Sequence, residues 1–567
     1  MHSLHPGLIL ILTGLLAFVL PQKARQIVAI AGPVVALWAL WMLEPDSAMN
    51  FHFAGSITME LLHVDMLAKA FGLIFCIIAV LAGIYSFDAA DRGEKAAALI
   101  YAGSSLGVVF AGDWISLICF WEVMAVASWY LVWVGRTQKA KRASYRYLVM
   151  HFFGGNMLLI GAIILCADGN FDLQLLTGET GMGYWMVLLG VAVNAAIPPL
   201  HTWVADAYPE STPAGTVYMG SFTTKVAIFA LIRLFAGTEW LVAIGGLMAV
   251  FGACMALIEN DLRKLLSYHI VSQLGMMVAG LATGLAAGID GAALHAAFNI
   301  LYKGVLLMAA GAVFVATGKR KISELGGLYK QMPLTAVCFL IASLSIAGMP
   351  FLNGFVSKGL IMEALHDYTL GYWLVMLAGI GTWLSITLKI NYFVFFGKTD
   401  NDVVCGKVPA YMNIAMVLGA ALCVITGVLP GLGYSLMPNQ TVGHPFTMEH
   451  IMEYFGLFIG ATVPFAMLIR KMAPHDYLSL DFDWIYRKPL AHIFSELSKD
   501  VHQIFVVCQD AANEVTKNIK LLLNDPAQLL YNATHWHRDE EEMPVGNFIW
   551  VFLIFCLIAF LSMGRII

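Results

Sequence analysis

The chain has 567 residues, of which 60% are hydrophobic and only 12% charged, against roughly 25% charged in a soluble domain. Its formal net charge of −5 is small for this length, and the basic residues form short scattered clusters, which excludes a nucleic-acid-binding surface. The nine cysteines occur singly, mostly inside apolar runs such as those around Cys76, Cys119 and Cys254. With no CxxC pair or Cys/His cluster, no disulfide framework, iron–sulfur cluster or zinc site is expected, and no metal or cofactor.

The composition predicts an all-α polytopic membrane protein. The N-terminal MHSLHPG lacks the positive residues of a signal peptide, so the first helix is expected to stay. Apolar runs long enough to cross lie near 5–21, 26–43, 66–86, 97–112, 114–134, 145–166, 183–200, 213–236 and 239–258, each near the twenty residues a bilayer requires. Others lie near 264–284, 288–317, 334–366, 369–396, 411–430, 453–470 and 546–563. Basic clusters at 22–25, 91–95, 136–146, 261–264, 318–321 and 398–407 all follow odd-numbered spans, whereas 44–65, 167–182 and 431–450 carry no Lys or Arg. This alternation predicts an N-terminus outside the cytoplasmic membrane. Between about 484 and 531, Ile493, Leu497, Val501, Ile504, Cys508, Val515, Ile519 and Leu522 recur at helical spacing among polar residues. They predict an amphipathic helix lying along the membrane surface, tethered by a last span; a tail helix in water is the blander alternative.

Ionisable residues within these spans are costly, at least about 3 kcal/mol each on insertion scales, and therefore draw attention. Glu122 sits in FWEVMAVAS (120–128) near the middle of the fifth run, although capping of nearby helix-end donors could also explain a carboxylate there. Lys225, in FTTKVAIFALIRLF (222–235), can load and release a proton as an arginine cannot, or can snorkel to an interface. His295, Asn299 and Lys303 are spaced by four and share one helical face. Lys358 follows SIAGMPFLNGFVS (345–357), where Pro350 and Gly354 should break the helix. A second break is expected at Pro198 and Pro199 in NAAIPPLHTWVADAYPESTPAG (194–215). Such interruptions free backbone groups inside the protein; in transporters paired breaks mark the ion path, although a packing kink gives the same sequence. Lys225 and Lys389 occupy comparable places after the two breaks, which hints at an internal repeat.

The motifs PLHTWVADAYPESTPAG (199–215), DLRKLLSYHIVSQLGMM (261–277), ILYKGVLLMAAG (300–311) and GMPFLNGFVSKG (348–359) resemble the antiporter-like subunits shared by Mrp-type Na⁺/H⁺ antiporters, respiratory complex I and membrane-bound hydrogenases. The likeness runs from about residue 60 to 400 and is strongest to the Mrp D-subunit type. It implies about 14 core helices, two inverted five-helix repeats with two broken helices, and a mid-membrane proton axis. By motif, Glu122, Lys225, His295, Lys303 and Lys358 fall on that axis. One departure stands out: the family's usual lysine before the first break is Asn194 here, which leaves Glu122 without its expected cation.

The expected organisation is 1–96, N-terminal helices and an extracytoplasmic loop; 97–236 and 237–397, two transport repeats; 398–480, C-terminal core helices; and 481–567, the lateral helix and terminal anchor. The resemblance implies a proton-translocating chain working with other membrane subunits, exchanging protons for Na⁺ or serving a redox-driven pump whose redox centres lie in partner chains. A subunit energising CO₂ or bicarbonate accumulation, and a non-pumping clamp, are the alternatives.

Overall fold

The computed structural model describes residues 4–475 except 55–56, 90, 177, 179, 398–402 and 470, together with 481–485 and isolated positions up to 513. The chain divides into two units, Met1–Ser479 and Leu480–Ile567. In the second, Asp483–Ile485 forms one helical turn and Arg487 pairs with Asp483 at 2.9 Å. The rest of the expected surface helix and the last span lie outside the described residues.

The first unit is a bundle of helices in which eleven are long and apolar enough to cross a membrane and three more are shorter and apolar, among the described residues. In chain order they begin α1 (Pro6–Val19), α2 (Gln22–Met42), α3 (Met66–Tyr85), α4 (Arg92–Phe110), α5 (Trp114–Trp133) and α6 (Gln138–Leu165). The first interrupted region comprises α7 (Met182–Asn194), α8 (Thr202–Ala207), α9 (Pro213–Ser221) and α10 (Thr223–Phe235). Then come α11 (Trp240–Ile258), α12 (Leu262–Ala282) and the long α13 (Ala286–Thr317). The second broken region is α14 (Pro333–Ala347) and α15 (Asn353–Ala364), followed by α16 (Thr369–Thr382), which continues as a π-helix over Trp383–Phe396. The unit closes with α17 (Ala410–Val428), the short α18 (Gly431–Tyr434) and α19 (Met448–Leu468).

Two elements differ from the sequence expectation. The 44–65 connection contains an antiparallel hairpin, β1 (Ala48–Ala54) with β2 (Ile57–His63). It docks on the α4–α5 junction, where the Glu60 amide donates to Asp113 Oδ2 at 2.5 Å and the Gly112 amide to the Glu60 carbonyl at 3.0 Å. The apolar run 213–236 counts as one span, but its helix is interrupted at Phe222. There the Thr223 amide leaves the helical pattern and donates to the Tyr101 hydroxyl at 2.9 Å, so a side chain from α4 has replaced one rung of the helix.

Perimeter helices expose large apolar residues, among them Leu12 and Phe18 on α1, Trp38 on α2, Val126 on α5, Leu418 on α17 and Ile459 on α19. The interior helix α12 is buried all round. An apolar outside with polar groups retained inside is the arrangement a lipid solvent dictates.

Close approach of helices rests on small residues, as expected where lipid removes the hydrophobic drive between them. On α11 and α12, Gly245, Gly252 and Gly275 lie against the main chain of the facing helix, so a side-chain carbon on Gly275 would collide with Ala249. A polar clasp joins the segment between α8 and α9 to the start of α12 and the turn after α13. Buried Arg263 donates to the carbonyls of Ser211 at 2.7 Å and Thr212 at 3.0 Å and to the Thr216 hydroxyl, while Arg320 bridges Asp261 at 2.8 Å and Glu210 at 3.1 Å.

Replacing Gly275 with Leu is expected to cost about 1–3 kcal/mol or more through overpacking, read as a lower melting temperature of the detergent-solubilised protein. A melting curve identical to that of the parent would contradict the backbone contact. Arg263→Ala takes the guanidinium away from the buried Ser211 carbonyl and Thr216 hydroxyl; it is expected to speed proteolysis of the 208–216 segment without removing any single helix.

Candidate functional site

The helix breaks decide where the buried ammonium groups sit. Helix α14 ends in a left-handed Gly348 (φ 90°), the chain turns through Phe351 (φ 71°), and α15 begins at Asn353. Gly354 is pressed so closely on the Ser345 carbonyl that no side chain fits there, and Ser345 hydrogen-bonds Asn353 across the gap. The Ile346 carbonyl, belonging to the last turn of α14, accepts a bond from Lys358 Nζ at 2.6 Å. A helix C-terminus leaves its last carbonyls without intrahelical donors, and a lysine from the next half-helix supplies one.

The same device recurs elsewhere. At the Phe222 interruption Lys225 Nζ donates to the Gly220 carbonyl at 2.8 Å. Lys389, on the π-helix, donates to the carbonyls of Leu257 and Glu259, both at 2.7 Å, at the C-terminal end of α11. Lys303 differs, reaching the Leu266 carbonyl at 3.2 Å inside α12 rather than at a helix end. Lys225, Lys303, Lys358 and Lys389 are all buried, and among the described residues none of them is in an ion pair. Lys225 and Lys389, placed alike by the sequence, therefore differ in partner: one closes its own helix, the other caps a neighbour.

Between these lysines runs a line of neutral polar groups. His295 Nδ1 lies 2.8 Å from Ser357 Oγ, the residue before Lys358. Its Nε2 lies 3.2 Å from Gln273 Oε1 and 3.3 Å from the Tyr302 hydroxyl, so the imidazole can donate on one side and accept on the other according to tautomer. Asn299 donates to the Tyr302 hydroxyl at 3.1 Å. One turn from Gln273 on α12, His269 Nε2 meets Ser385 Oγ at 2.7 Å, and Ser385 is one turn from Lys389 on the π-helix. His269, Gln273, Tyr302, Ser357 and Ser385 do not stand out in the sequence. The HIVSQ segment does carry a signal, since His269 and Gln273 are four apart in a helix otherwise rich in apolar residues.

Lys358 also borders space. A cavity of about 20 Å³, room for one water, lies against Lys358, Tyr454, Met276 and Phe458. Nearby, an open cavity of about 390 Å³ is lined by Glu363, His366, His444, Glu449, His450 and Glu453.

The first half is less continuous. Helix α7 ends at Asn194, and Ala196 (φ 55°), Pro198 and Pro199 carry the chain to α8. Asn194 is fully buried with neither amide atom hydrogen-bonded. Glu122 is half-buried on the outer side of α5, its carboxylate lying against Gly155 of α6. The donors at the start of α5 are taken up by Asp113, which accepts from the Ser116 amide at 2.8 Å, so Glu122 has no capping role there.

Residues 111–385 match the family described as NADH:quinone oxidoreductase/Mrp antiporter, transmembrane. An uncharacterized protein of Methanocaldococcus jannaschii is 30% identical over 353 residues, covering 58% of this chain and 73% of that protein. The A1 subunit of a Na(+)/H(+) antiporter of Staphylococcus haemolyticus is 29% identical over 480 residues, covering 75% of this chain and 58% of that protein. The A/B subunit of a probable K(+)/H(+) antiporter of Rhizobium meliloti is 30% identical over 495 residues, 82% of this chain but 46% of that protein. The chain thus spans about half the length of these two antiporter proteins, and they do not separate the expected D type from the A type. Among solved structures, a chain of the membrane-bound sulfane sulfur reductase, an archaeal respiratory membrane complex, matches with a TM-score of 0.70 at 23% identity, over 98% of this chain and 99% of that one. A chain of the Mrp complex from Dietzia matches with a TM-score of 0.69 at 22% identity, over 80% and 99%. This multi-pass membrane chain belongs to the antiporter-like membrane-subunit family of NADH:quinone oxidoreductases and Mrp antiporters.

Proposed function

We propose that the chain is a proton-translocating, antiporter-like subunit of a multisubunit complex in the cytoplasmic membrane, with its N-terminus outside. Protons pass along Lys225, Lys303, His295, Lys358 and Lys389, in exchange for Na⁺ or K⁺ or under the drive of a redox partner. The observation that carries this reading is the bonding of four buried lysines to main-chain carbonyls, together with the Ser357–His295–Gln273 bonds in the same interior. A carbonyl stabilises an ammonium without fixing it as a carboxylate would, so the group can be emptied as well as filled. The 390 Å³ cavity, lined by Gly359 and Met362 of the half-helix that carries Lys358, offers an outer mouth, with acidic and imidazole groups to relay protons to water. The likeness to chains of two solved assemblies, the Mrp complex and the sulfane sulfur reductase, supports a setting with other membrane subunits around this one.

A purely bracing role predicts no dependence on these lysines. In vesicles carrying the assembled complex, Lys358→Ala and Lys225→Ala are expected to slow proton exchange on the order of a hundredfold. Lys358→Arg should be nearly as slow, because it keeps the charge but does not release its proton. Proton exchange at the parental rate in both alanine variants would leave only the bracing role. A module energising bicarbonate accumulation would keep the lysine dependence and differ in its copurifying subunits.

A further inference from the structure

The first half of the chain contains a fully buried imidazole that lies outside the line of lysines. His151 on α6 is stacked on Tyr147 at 3.8 Å between centroids and meets the edge of Trp203 at 4.5 Å. Its Nδ1 lies 2.9 Å from the Tyr147 carbonyl. A carbonyl only accepts, so Nδ1 carries the proton and, in the neutral ring, Nε2 is left as an open acceptor. Nε2 has no hydrogen-bond partner and is inaccessible to solvent.

Three contacts describe the surroundings of this ring. Gly155, against which the Glu122 carboxylate lies, is four residues along the same helix, a backbone rise of about 6 Å from His151. The Trp203 indole donates to the Val193 carbonyl at 2.9 Å, which sets the ring touching His151 beside the end of α7, next to Asn194. The Tyr147 hydroxyl donates to Ser128 Oγ at 2.8 Å on α5, closing the far side. Of the other charged groups on the elements packed against α6, Asp206 is held by two bonds from Arg146 at 2.7 and 2.9 Å and Glu210 by Arg320 at 3.1 Å. Cys119 and Tyr130 on α5, Tyr184 on α7, and His201 and Tyr208 at the two ends of α8 are the remaining titratable groups of those elements. Among the described residues, Glu122 is the one carboxylate on those elements without such a cation.

We infer that His151 is the proton-exchange partner of Glu122, filling the position between that carboxylate and the first helix break where Asn194 offers only a neutral amide. The carboxylic acid of Glu122 gives up its proton, the O–H bond breaking as Nε2–H forms, and a carboxylate then faces an imidazolium. Release of the same Nε2 proton inward, toward Lys225, restores the neutral ring. One water or a rotation of the glutamate spans the remaining turn of helix. Gly155 is required because any side chain there would displace the carboxylate.

The inference rests on the proposed proton-translocating function, so its test carries a control for that function. In vesicles bearing the full chain with its partner subunits, His151→Gln keeps a donor for the Tyr147 carbonyl and removes the basic nitrogen. Proton flux under an imposed pH gradient, followed with a trapped pH dye, is expected to fall on the order of a hundredfold. Adding Asn194→Lys to His151→Gln should restore most of it, since a base is returned beside Glu122. Parental flux in His151→Gln overturns the inference, and so does a loss that Asn194→Lys fails to rescue, because that is how a structural histidine behaves. Lys225→Ala runs alongside: if its flux is parental, the function itself is wrong rather than the role of His151. Should His151→Gln fail to assemble, infrared difference spectra of the parental complex with isotope-labelled histidine decide. Imidazolium bands must appear as the Glu122 carboxyl band, identified with Glu122→Gln, disappears; their absence overturns the inference.

Discussion

The ammonium-to-carbonyl bond is the interaction on which the interior depends. Bringing a lysine into a bilayer is tolerable only with a partner, and breaking a helix there is tolerable only if the freed backbone groups are satisfied. Each problem solves the other at Lys358 with Ile346 and at Lys225 with Gly220. The breaks and the lysines are therefore one design, each supplying the partner that the other lacks. The rest of the bundle holds these pairs in place: small residues bring α11 and α12 into contact, and the Arg263 and Arg320 clasp fixes the segment between α8 and α9.

Much of this is legible in the sequence because lipid allows few solutions. The apolar runs mark the helices, and Pro350 with Gly354 marks the second break. Helix ends are less legible. Helix α4 starts at Arg92 and α6 at Gln138, earlier than their apolar runs, because Asp91 and Thr137 cap amides beyond the apolar stretch. The break at Phe222 is invisible, since it depends on a tyrosine from a helix more than a hundred residues away. The β-hairpin has a period-two signal in Met49, Asn50, Phe51 and His52, easily overlooked in a chain so dominated by helices.

Among candidate site residues, the costly ones are the easy ones. Glu122, Lys225, His295, Lys303, Lys358 and Lys389 stand out because a charge or imidazole in an apolar run needs explaining. Gln273, Ser357 and Ser385 do not, since a single amide or hydroxyl is cheap in a membrane helix. Their importance is created by juxtaposition, three helices meeting at His295 and two at His269. Both halves leave buried polar atoms without partners: Asn194 and His151 Nε2 in the first, and His269 Nδ1, Gln273 Nε2 and Asn299 Oδ1 in the second.

Asp290 ties two distant parts of this arrangement together. Buried on α13 little more than one turn before His295, it accepts from the Asn439 amide at 3.1 Å, the Asn439 side chain at 3.0 Å and the Thr441 amide at 2.9 Å. The strand of loop so anchored runs directly into Gly443, His444 and Pro445, which form part of the rim of the 390 Å³ cavity. The long helix and that rim are thus mechanically joined: a sliding or rotation of α13 large enough to move Asp290 would pull on the loop that leads into the cavity's rim.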